Sequence, residues 1–509
     1  MWRNERTLYR RKCDGTGKEI ISVYSADKPF PVYENEYWYS DKWDALDHGR
    51  DFDFSRPFFE QFSELMNVVP QLARSAVQNL NCDFTNQVGW CKNCYLIFEA
   101  DFNENCYYSN NIYESRFTMD SLMVVNCELC HECVDCYDCY NLKFSQNCKN
   151  CSDSWFLKSC IGCHNCYGCI NLRNKEYYFL NEKYSKDEYE KKIAALNLST
   201  TEQLEKARLN FLEYCKKFPH KYMEGNQNED CTGNYMSNNQ RCYDCFDINN
   251  CQDCRYIFNS RYMKDCCDVT VFGSREGAEL CYEVHETGAA TRNIIGSDQI
   301  WSDCYDIFYS KLCLFNSHHL FGCAGLKKQS YCIFNKKYSP EKYEELKNKI
   351  VDHMKKTGEW GEFFPATICP YGYNETVAND WFPLTKKEAK DKGYKWKDAD
   401  PREYKPQTYK IPVKIEEVSD AIVDEILACG ECGKNYKVIM EELKLYRRHK
   451  LPIPQKCPDC RHKTRFNLRN KRNLCQRNCR KCNAEIITTF TPDRQEPVYC
   501  EKCYLQTVN

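Results

Sequence analysis

The sequence predicts a mainly β fold with helical insertions, in which two cysteine-rich parallel β-solenoid arrays of about 21 residues per rung are flanked by small zinc-ribbon domains. Three observations carry this prediction. Fifteen cysteines between Cys82 and Cys169 are all separated by multiples of three residues, a similar array recurs 154 residues later, and four Cys-x2-Cys pairs stand near the C-terminus. Such internal periodicity is typical of repeat architectures.

The three-residue step of the first array requires a bent chain, because inward positions of a flat strand recur every second residue. The residue before the cysteine is Asn, Asp or Gly in eleven of the fifteen cases, and these types best tolerate a left-handed backbone. A second period of 21 residues relates Cys106, Cys127, Cys148 and Cys169. We therefore expect short β-segments and frequent turns that stack these thiols rung on rung.

A second array follows a helical insertion. Residues 168–189 align without gaps with residues 322–343, and both copies then enter a capped helix. Ser185 with Glu188 makes a capping box, and Ser339 is an N-cap followed by a proline at the first helical position. Most cysteines of the second copy keep the columns of the first, whereas Cys267, Cys304 and Cys313 depart from them. These departures indicate insertions in the second array.

The chain thus divides into seven predicted segments, and the helical ones suit covers over the ends of a solenoid. They are a degenerate zinc-ribbon-like domain without a full ligand set (1–50), a helical lead-in (51–80), array 1 (81–184), a helical insertion (185–230), array 2 (231–338), a helix with an irregular linker (339–428) and tandem four-cysteine zinc ribbons with a basic link (429–509).

The paired cysteines of the last segment have the spacing of structural zinc sites. Each of two sets contains a pair of Cys-x2-Cys turns, separated by a stretch of the length usual in zinc ribbons, so four thiolates can close a tetrahedron around Zn²⁺. The predicted ligands are Cys429, Cys432, Cys457 and Cys460 in one site and Cys479, Cys482, Cys500 and Cys503 in the other. No ligand position is left for water, so we expect two structural zinc ions and no metal-based catalysis.

The beginning of the chain echoes its end. Residues 13–37 align without gaps with residues 479–503, and Cys13 stands where Cys479 does. Thr16, Glu34 and Tyr37 replace the other three ligands, and a Thr and a Tyr cannot substitute for thiolates. We expect this copy to keep the ribbon fold without metal.

Positive charge is concentrated beside the predicted zinc sites. From 429 to 509 there are 18 Lys and Arg against 8 Asp and Glu, although the whole chain has a net charge of −2. The link 461–481 holds nine basic residues and no acidic one, which suits contact with phosphates, RNA slightly favoured over DNA, but also suits a solvated link or docking on the chain's own acidic solenoid. The candidate contacts are Arg461, Lys463, Arg465, Arg469, Lys471, Arg472, Arg477, Arg480 and Lys481.

The segments 51–62, 363–389 and 429–465, together with the arrays, resemble uncharacterised cysteine-rich zinc-ribbon proteins of candidate-phyla-radiation bacteria. The ribbon itself is similar to a zinc-ribbon domain with an aromatic residue, Glu-Leu and a Tyr between its knuckles, here Tyr436, Glu442 with Leu443, and Tyr446. The resemblance implies four-cysteine zinc sites and a cytoplasmic protein, and it brings no activity. The N-terminal copy departs from it, because such proteins usually keep a complete set of CxxC pairs there.

The array cysteines leave two interpretations open. Free cysteine packs as a small hydrophobe in narrow interiors, which favours packing, whereas its soft thiolate suits Cu(I) or further zinc. The cysteines in question are Cys127, Cys130, Cys133, Cys136, Cys139, Cys148, Cys151, Cys160, Cys163, Cys166 and Cys169.

Three classes of function follow. The first is a non-catalytic zinc-binding scaffold that holds a macromolecular partner, protein or nucleic acid; the second is a thiol-rich protein for metal storage or redox buffering. The third, a β-helix enzyme of unknown chemistry, rests on fold analogy alone, because no catalytic motif is present and His131, His318 and His319 lack an evident carboxylate partner in sequence. We therefore expect no enzyme. Without a secretory signal or an apolar run of about 18 residues, we expect a cytoplasmic chain with reduced thiols and no membrane partner.

Overall fold

The computed structural model describes residues 2–272, 276–399, 401 and 403–508. It is mainly β, with 31% strand and 23% helix, and contains a β-solenoid of about 21 turns with cysteine-rich clusters toward the C-terminus, which confirms the predicted fold class. Its first elements are β1 (Tyr9–Lys12), β2 (Glu19–Ser22), β3 (Val32–Tyr33), α1 (Asn35–Tyr39), α2 (Phe58–Val68) and β4 (Gln71–Leu72).

The first array is a parallel solenoid. Its strands are β5 (Ala76–Val77), β6 (Leu80–Asp83), β7 (Asn86–Gly89), β8 (Lys92–Tyr95), β9 (Phe98–Asp101), β10 (Asn110–Tyr113), β11 (Leu122–Val125) and β12 (Val134–Tyr137). Single parallel bridges continue the ladder to Phe179. The register advances by one turn from strand to strand, as in the pairing of Phe98 with Asn110 and of Asn110 with Leu122.

The predicted rung of 21 residues is therefore wrong, and the turn is about 12 residues long. Every third residue turns the chain with a left-handed backbone, for example Asp135 (φ 54°) and Asp138 (φ 55°), so four three-residue sides complete a turn. Because 21 is not a multiple of 12, Cys127 and Cys148 do not stack. Cys127 lies under Cys139 instead, and Cys139 lies under Cys151.

A helical insertion follows the first array. It consists of β13 (Tyr178–Phe179), β14 (Glu182–Lys183), α3 (Lys186–Ala195), α4 (Thr201–Cys215) and β15 (His220–Lys221). Ser185 caps α3 together with Glu188 in a capping box, as its sequence predicts. Phe211 of α4 packs on Phe156 of the solenoid, so the helices cover the aromatic flank of its last turns.

The second array is again parallel. Its strands are β16 (Gly225–Asn226), β17 (Gly233–Ser237), β18 (Gln240–Tyr243), β19 (Cys245–Asn249), β20 (Gln252–Arg255), β21 (Phe258–Arg261), β22 (Met263–Lys264), β23 (Cys267–Phe272), β24 (Ala278–Thr287), β25 (Thr291–Trp301), β26 (Tyr305–Phe308), β27 (Lys311–Leu314), β28 (His318–Phe321), β29 (Ser330–Ile333) and the antiparallel β30 (Lys336–Lys337).

Added residues explain two of the three cysteines that leave the columns. Arg292 pairs with Tyr305 and Ile300 pairs with Cys313, and both steps are one residue longer than the usual turn of the solenoid. Cys267 instead directly follows the column cysteine Cys266 and pairs with Arg255 in an ordinary step of 12 residues. Cys304 and Cys313 still face the core and are fully buried, whereas Cys267 is only half-buried. The second array therefore accommodates its insertions without losing its inward thiols at Cys304 and Cys313.

The rest of the chain covers and clamps the solenoids. It contains α5 (Pro340–Thr357), α6 (Val377–Trp381), α7 (Lys386–Asp391), β31 (Leu427–Ala428), β32 (Asn435–Tyr436), α8 (Met440–His449), α9 (Pro458–Phe466), β33 (Cys475–Asn478), β34 (Glu485–Thr488), β35 (Val498–Tyr499) and α10 (Glu501–Val508). Helix α5 begins at the predicted Ser339 cap and buries Tyr343, Ile350 and Met354 in the core of the second array.

The two arrays contact each other through their flanks. The amide of Asn259 in array 2 donates to Glu99 and to Asn111 in array 1, the latter at 2.9 Å, and Gln87 contacts Glu286. The solenoid pair is therefore one packed unit onto which the C-terminal ribbons dock.

Candidate metal centres

The first group of four cysteines is closed around one point. The Sγ atoms of Cys429, Cys432, Cys457 and Cys460 all lie within 4.8 Å of one another. The β31–β32 hairpin supplies one pair, and the start of α9 supplies the other. The hairpin turn is tight, because Cys429 N–H donates to the Lys434 carbonyl at 2.9 Å and Gly433 adopts φ 73°.

The second group repeats this geometry. The Sγ atoms of Cys479, Cys482, Cys500 and Cys503 also lie within 4.8 Å of one another, supplied by the β33–β34 hairpin and the start of α10. The Sγ atoms of Cys482 and Cys500 are 3.7 Å apart, as are the Sγ atoms of Cys432 and Cys457 in the first group. The predicted ligands are thus brought together in two sets of four.

The backbone at both sites favours thiolates. Cys457 N–H donates to the Cys429 sulfur, and Cys500 N–H donates to the Cys479 sulfur, each at 3.3 Å. Burial by itself would raise the pKa of Cys429, but N–H groups that include those of Cys457 and Cys432 lower it to about 6. The same balance lowers the pKa of Cys479 to about 6. Thiolate is the form that binds metal.

The N-terminal hairpin has the same backbone with different side chains. Cys13 N–H donates to the Lys18 carbonyl at 2.8 Å, and Glu34 N–H donates to the Cys13 sulfur at 3.3 Å. The two four-cysteine groups have the same pair of hydrogen bonds. Where further thiolates would stand, the Thr16 hydroxyl donates to the Glu34 carboxylate at 2.9 Å, and the Tyr37 ring leaves no room for a Cβ on residue 15. The Thr16–Glu34 hydrogen bond and the Tyr37 ring therefore occupy the space that three further cysteines occupy in the four-cysteine groups.

The array cysteines are placed differently. Among the residues that the structure describes, no three of them bring their sulfurs within 4.8 Å of one another. All eleven named for an additional site are buried, and each stacks or neighbours another thiol along a column or a turn. The Cys127 thiol and burial together raise the pKa of Cys139 to about 12, whereas the neighbouring Cys136 and Cys151 thiols lower that of Cys148 to about 6 although burial opposes the shift, so the array thiols do not share one protonation state.

The array sulfurs instead form hydrogen bonds with backbone groups of the solenoid. Inward N–H groups of the solenoid find acceptors on the side chain one turn below, as when Cys127 N–H donates to Ser115 Oγ at 3.1 Å. Ser115 Oγ in turn donates to the Tyr113 carbonyl at 2.9 Å, and Cys127 Sγ donates to the Val125 carbonyl at 3.4 Å. Cysteine and serine therefore play the same part, since a buried N–H without an acceptor is costly.

Most of the arginines of the basic link form buried ion pairs inside the chain. Arg461 and Arg465 are buried against Asp120, at 3.2 and 2.8 Å, and Arg461 also pairs with Glu442 at 2.9 Å. Arg469 bridges Asp135 of array 1, at 3.0 Å, and Asp247 of array 2.

The other candidate nucleic-acid contacts divide by exposure. Arg472 pairs with Asp247 at 2.7 Å, and Lys471 donates to the Asp380 carbonyl at 2.8 Å. Arg477 is half-buried and donates to the Phe490 and Thr491 carbonyls. Only Lys463, Arg480 and Lys481 of the nine are exposed.

Sequence reasoning missed the acidic partners of this link. The sequence indicates Asp135 only as a turn residue, and no local pattern marks Asp120 or Asp247. These carboxylates belong to three different turns of the solenoids, and only the packing of α9 and the following residues against both arrays brings them together.

The carboxylates of a third group of possible metal ligands already form ion pairs with two arginines. Asp120, His131 and Glu132 place ligand atoms within 4.8 Å of one another. Arg465 lies 2.8 Å from Asp120 and 3.3 Å from Glu132, so these carboxylates are neutralised by guanidinium groups. His131 itself packs edge-on against Phe144 and Tyr446, and burial lowers its pKa well below the ordinary value.

The remaining histidines named in the sequence form a small surface cluster. His318 and His319 are 2.9 Å apart between their Nδ1 atoms, and Asp306, one turn below, lies 3.6 Å from His319. Tyr305 stacks on His318. The carboxylate neighbour that the sequence did not reveal therefore comes from the longer solenoid step of this region.

Within the described ranges, none of the helices combines the length and the apolar character that crossing a bilayer requires. The resemblance to cysteine-rich zinc-ribbon proteins stays a prediction. No family model matches the sequence, and a comparison with curated proteins finds no match.

Proposed function

We propose that the protein is a non-catalytic zinc-binding scaffold, in which two four-cysteine ribbons fix the C-terminal segment on a pair of solenoids and so present one rigid surface to a macromolecular partner. One observation carries the proposal. Helix α9 holds the ligand Cys460 and, in the next two turns, Arg461 and Arg465, which are buried against Asp120. The metal site and the anchor on the solenoid thus share one helix.

Zinc is the metal that suits both sites. Closed sets of four thiolates favour zinc or iron–sulfur chemistry, and the Cys-x2-Cys pairs on a hairpin and a helix start are the ligand arrangement of structural zinc. Such a metal stabilises the fold directly, because the ligand set does not exist in the unfolded chain.

The proposal is tested by the metal content of protein purified without added metal. We expect two zinc ions per chain, one lost in Cys429→Ser/Cys457→Ser and one lost in Cys479→Ser/Cys500→Ser. Cys13→Ser is the matched control, because Cys13 has the same backbone hydrogen bond without the other ligands. Fewer than two metals in the wild type would sink the proposal, and a content well above two would favour thiol-based metal storage.

The partner is a protein or a nucleic acid. For nucleic acid, the exposed cations left in the link are Lys463, Arg480 and Lys481. A triple change of these residues to Glu should abolish salt-dependent binding to RNA and DNA if they contact phosphates. Wild-type protein that shows no salt-sensitive binding would leave a protein as the partner.

A further inference from the structure

Both solenoids begin with an edge turn whose thiol is only half-buried. Among the strands that the structure describes, β6 pairs with β8 alone, so within these ranges the turn that carries Cys82 has no solenoid turn beneath it. The turn that carries Cys231 likewise precedes the first paired strands on its side of array 2. Cys82 and Cys231 are therefore the first, half-buried members of thiol columns whose next members, Cys94 and Cys242, are buried.

The members of each pair are in register. Cys82 stands directly opposite Cys94 in the parallel β6–β8 pair, and the two thiols donate alike to the carbonyls of Leu80 and Lys92, each two residues earlier in the chain. Cys242 N–H donates to Cys231 Sγ at 3.4 Å, so the second pair is joined by a hydrogen bond between successive turns. Adjacent strands lie about 4.8 Å apart, which falls within the Cα separation of about 4.4–6.8 Å that disulfides span.

We propose that these two edge pairs, Cys82 with Cys94 and Cys231 with Cys242, are redox-modification sites that form inter-turn disulfides with a peroxide. The half-buried thiolate of the edge cysteine, Cys82 or Cys231, attacks one peroxide oxygen and becomes a sulfenic acid, and one water leaves. The buried thiol then attacks the sulfenic sulfur, the S–S bond forms and a second water leaves. In balance, two thiols and one hydrogen peroxide give one disulfide and two waters, and the two electrons come from the sulfurs.

The surroundings of Cys82 support this assignment. The neighbouring Cys94 thiol, the Cys94 backbone N–H and the charge of Arg74 lower the pKa of Cys82 to about 7 although burial opposes the shift. Leu80 and Asn81 beside it are exposed, so a small oxidant can reach the sulfur. At Cys82 the reactive form and the access that peroxide chemistry requires are both present. At Cys231 the neighbouring Cys242 thiol and burial raise the pKa instead, so we expect this second pair to be oxidised more slowly than Cys82 with Cys94.

The solenoid contains its own control. Cys136 and Cys148 are stacked in the same way, in register on successive turns, but both are fully buried. If stacking alone were sufficient, this inner pair would oxidise as well. If access to the first sulfur decides, it stays reduced.

The experiment treats full-length, metal-loaded protein with hydrogen peroxide, blocks the remaining thiols by alkylation and maps tryptic peptides by mass spectrometry. Trypsin cuts after Lys92, Lys143 and Arg241, so each inter-turn disulfide links two separate peptides. We expect linked peptides for both edge pairs and alkylated thiols at Cys136 and Cys148. Metal content is followed in the same samples, so that the disulfides are scored on protein that has kept its metals.

Two serine variants complete the test, because Cys82 and Cys91 share a tryptic peptide and Cys91 also contacts Cys94. Cys91→Ser should keep the cross-link, and Cys82→Ser should lose it. Serine preserves the hydrogen bonds of the column, so both variants should fold. The proposal is overturned if Cys82→Ser keeps the link, if no link forms while the edge thiols are oxidised further, or if the inner pair links at the same rate.

Discussion

Replacing Arg469 by Met should loosen the contact between the two solenoids. Its guanidinium is buried, pairs with Asp135 at 3.0 Å and with Asp247, and lies 4.0 Å from the centre of the Tyr235 ring. Asp247 keeps Arg472 as a partner, whereas Asp135 keeps none of its ion pairs in the described part of the chain. Breaking a buried pair from one side costs about 3–5 kcal/mol, and the single orphaned carboxylate places Arg469→Met within that range.

Native-state hydrogen exchange measures this cost where it arises. A loss of about 4 kcal/mol raises the open population of the strands around Asp135 and Asp247 roughly a thousandfold, since each factor of ten corresponds to about 1.4 kcal/mol. Arg480→Met removes an exposed cation from the same link and should change exchange by less than about 0.5 kcal/mol. The double variant Arg469→Met/Asp135→Asn should recover part of the loss. Equal effects of Arg469→Met and Arg480→Met would refute the reasoning.

Three further predictions concern other parts of the chain. Burial and two nearby carboxylates raise the pKa of Glu283 to about 7, so the folded state binds this carboxyl proton more tightly than the unfolded state does. The stability that protonated Glu283 contributes is therefore complete below the unfolded pKa near 4.5 and is lost as the pH rises through 7. The thermal midpoint of Glu283→Gln relative to wild type should therefore increase from pH 5 to pH 8, and a constant difference would contradict the assignment. Ser115→Cys should be tolerated because sulfur can still accept from Cys127 N–H, whereas Ser115→Val should cost about 1–3 kcal/mol in urea unfolding; equal costs would show that the hydrogen bond is unimportant. Gly15→Ala places a Cβ 2.5 Å from the Tyr37 ring and should cost about 1–3 kcal/mol, and the double variant with Tyr37→Ala should remove most of that clash; a neutral single variant would show that the ring is free to move.

The candidate metal ligands were the part of the site that the sequence predicted best. All four cysteines of a knuckle pair come from two tight turns, so short-range spacing fixes the chemistry, and the structure closes both sets within 4.8 Å. The basic link was the part that sequence left open. The same nine residues suit phosphate contact or internal docking, and only the positions of Asp120, Asp135 and Asp247 place four of the arginines inside the chain.

The sequence by itself determined that the arrays are solenoids with an inward position every third residue, because left-handed turn residues and small inward side chains are local requirements of the backbone. It also determined the two sets of candidate metal ligands. The length of a turn was decided only by the tertiary structure, since stacking depends on how many three-residue sides close one circuit, and this is a property of hydrogen bonds between turns. For that reason Cys127 is followed in its column by Cys139, and the 21-residue recurrence relates cysteines on different sides of the solenoid.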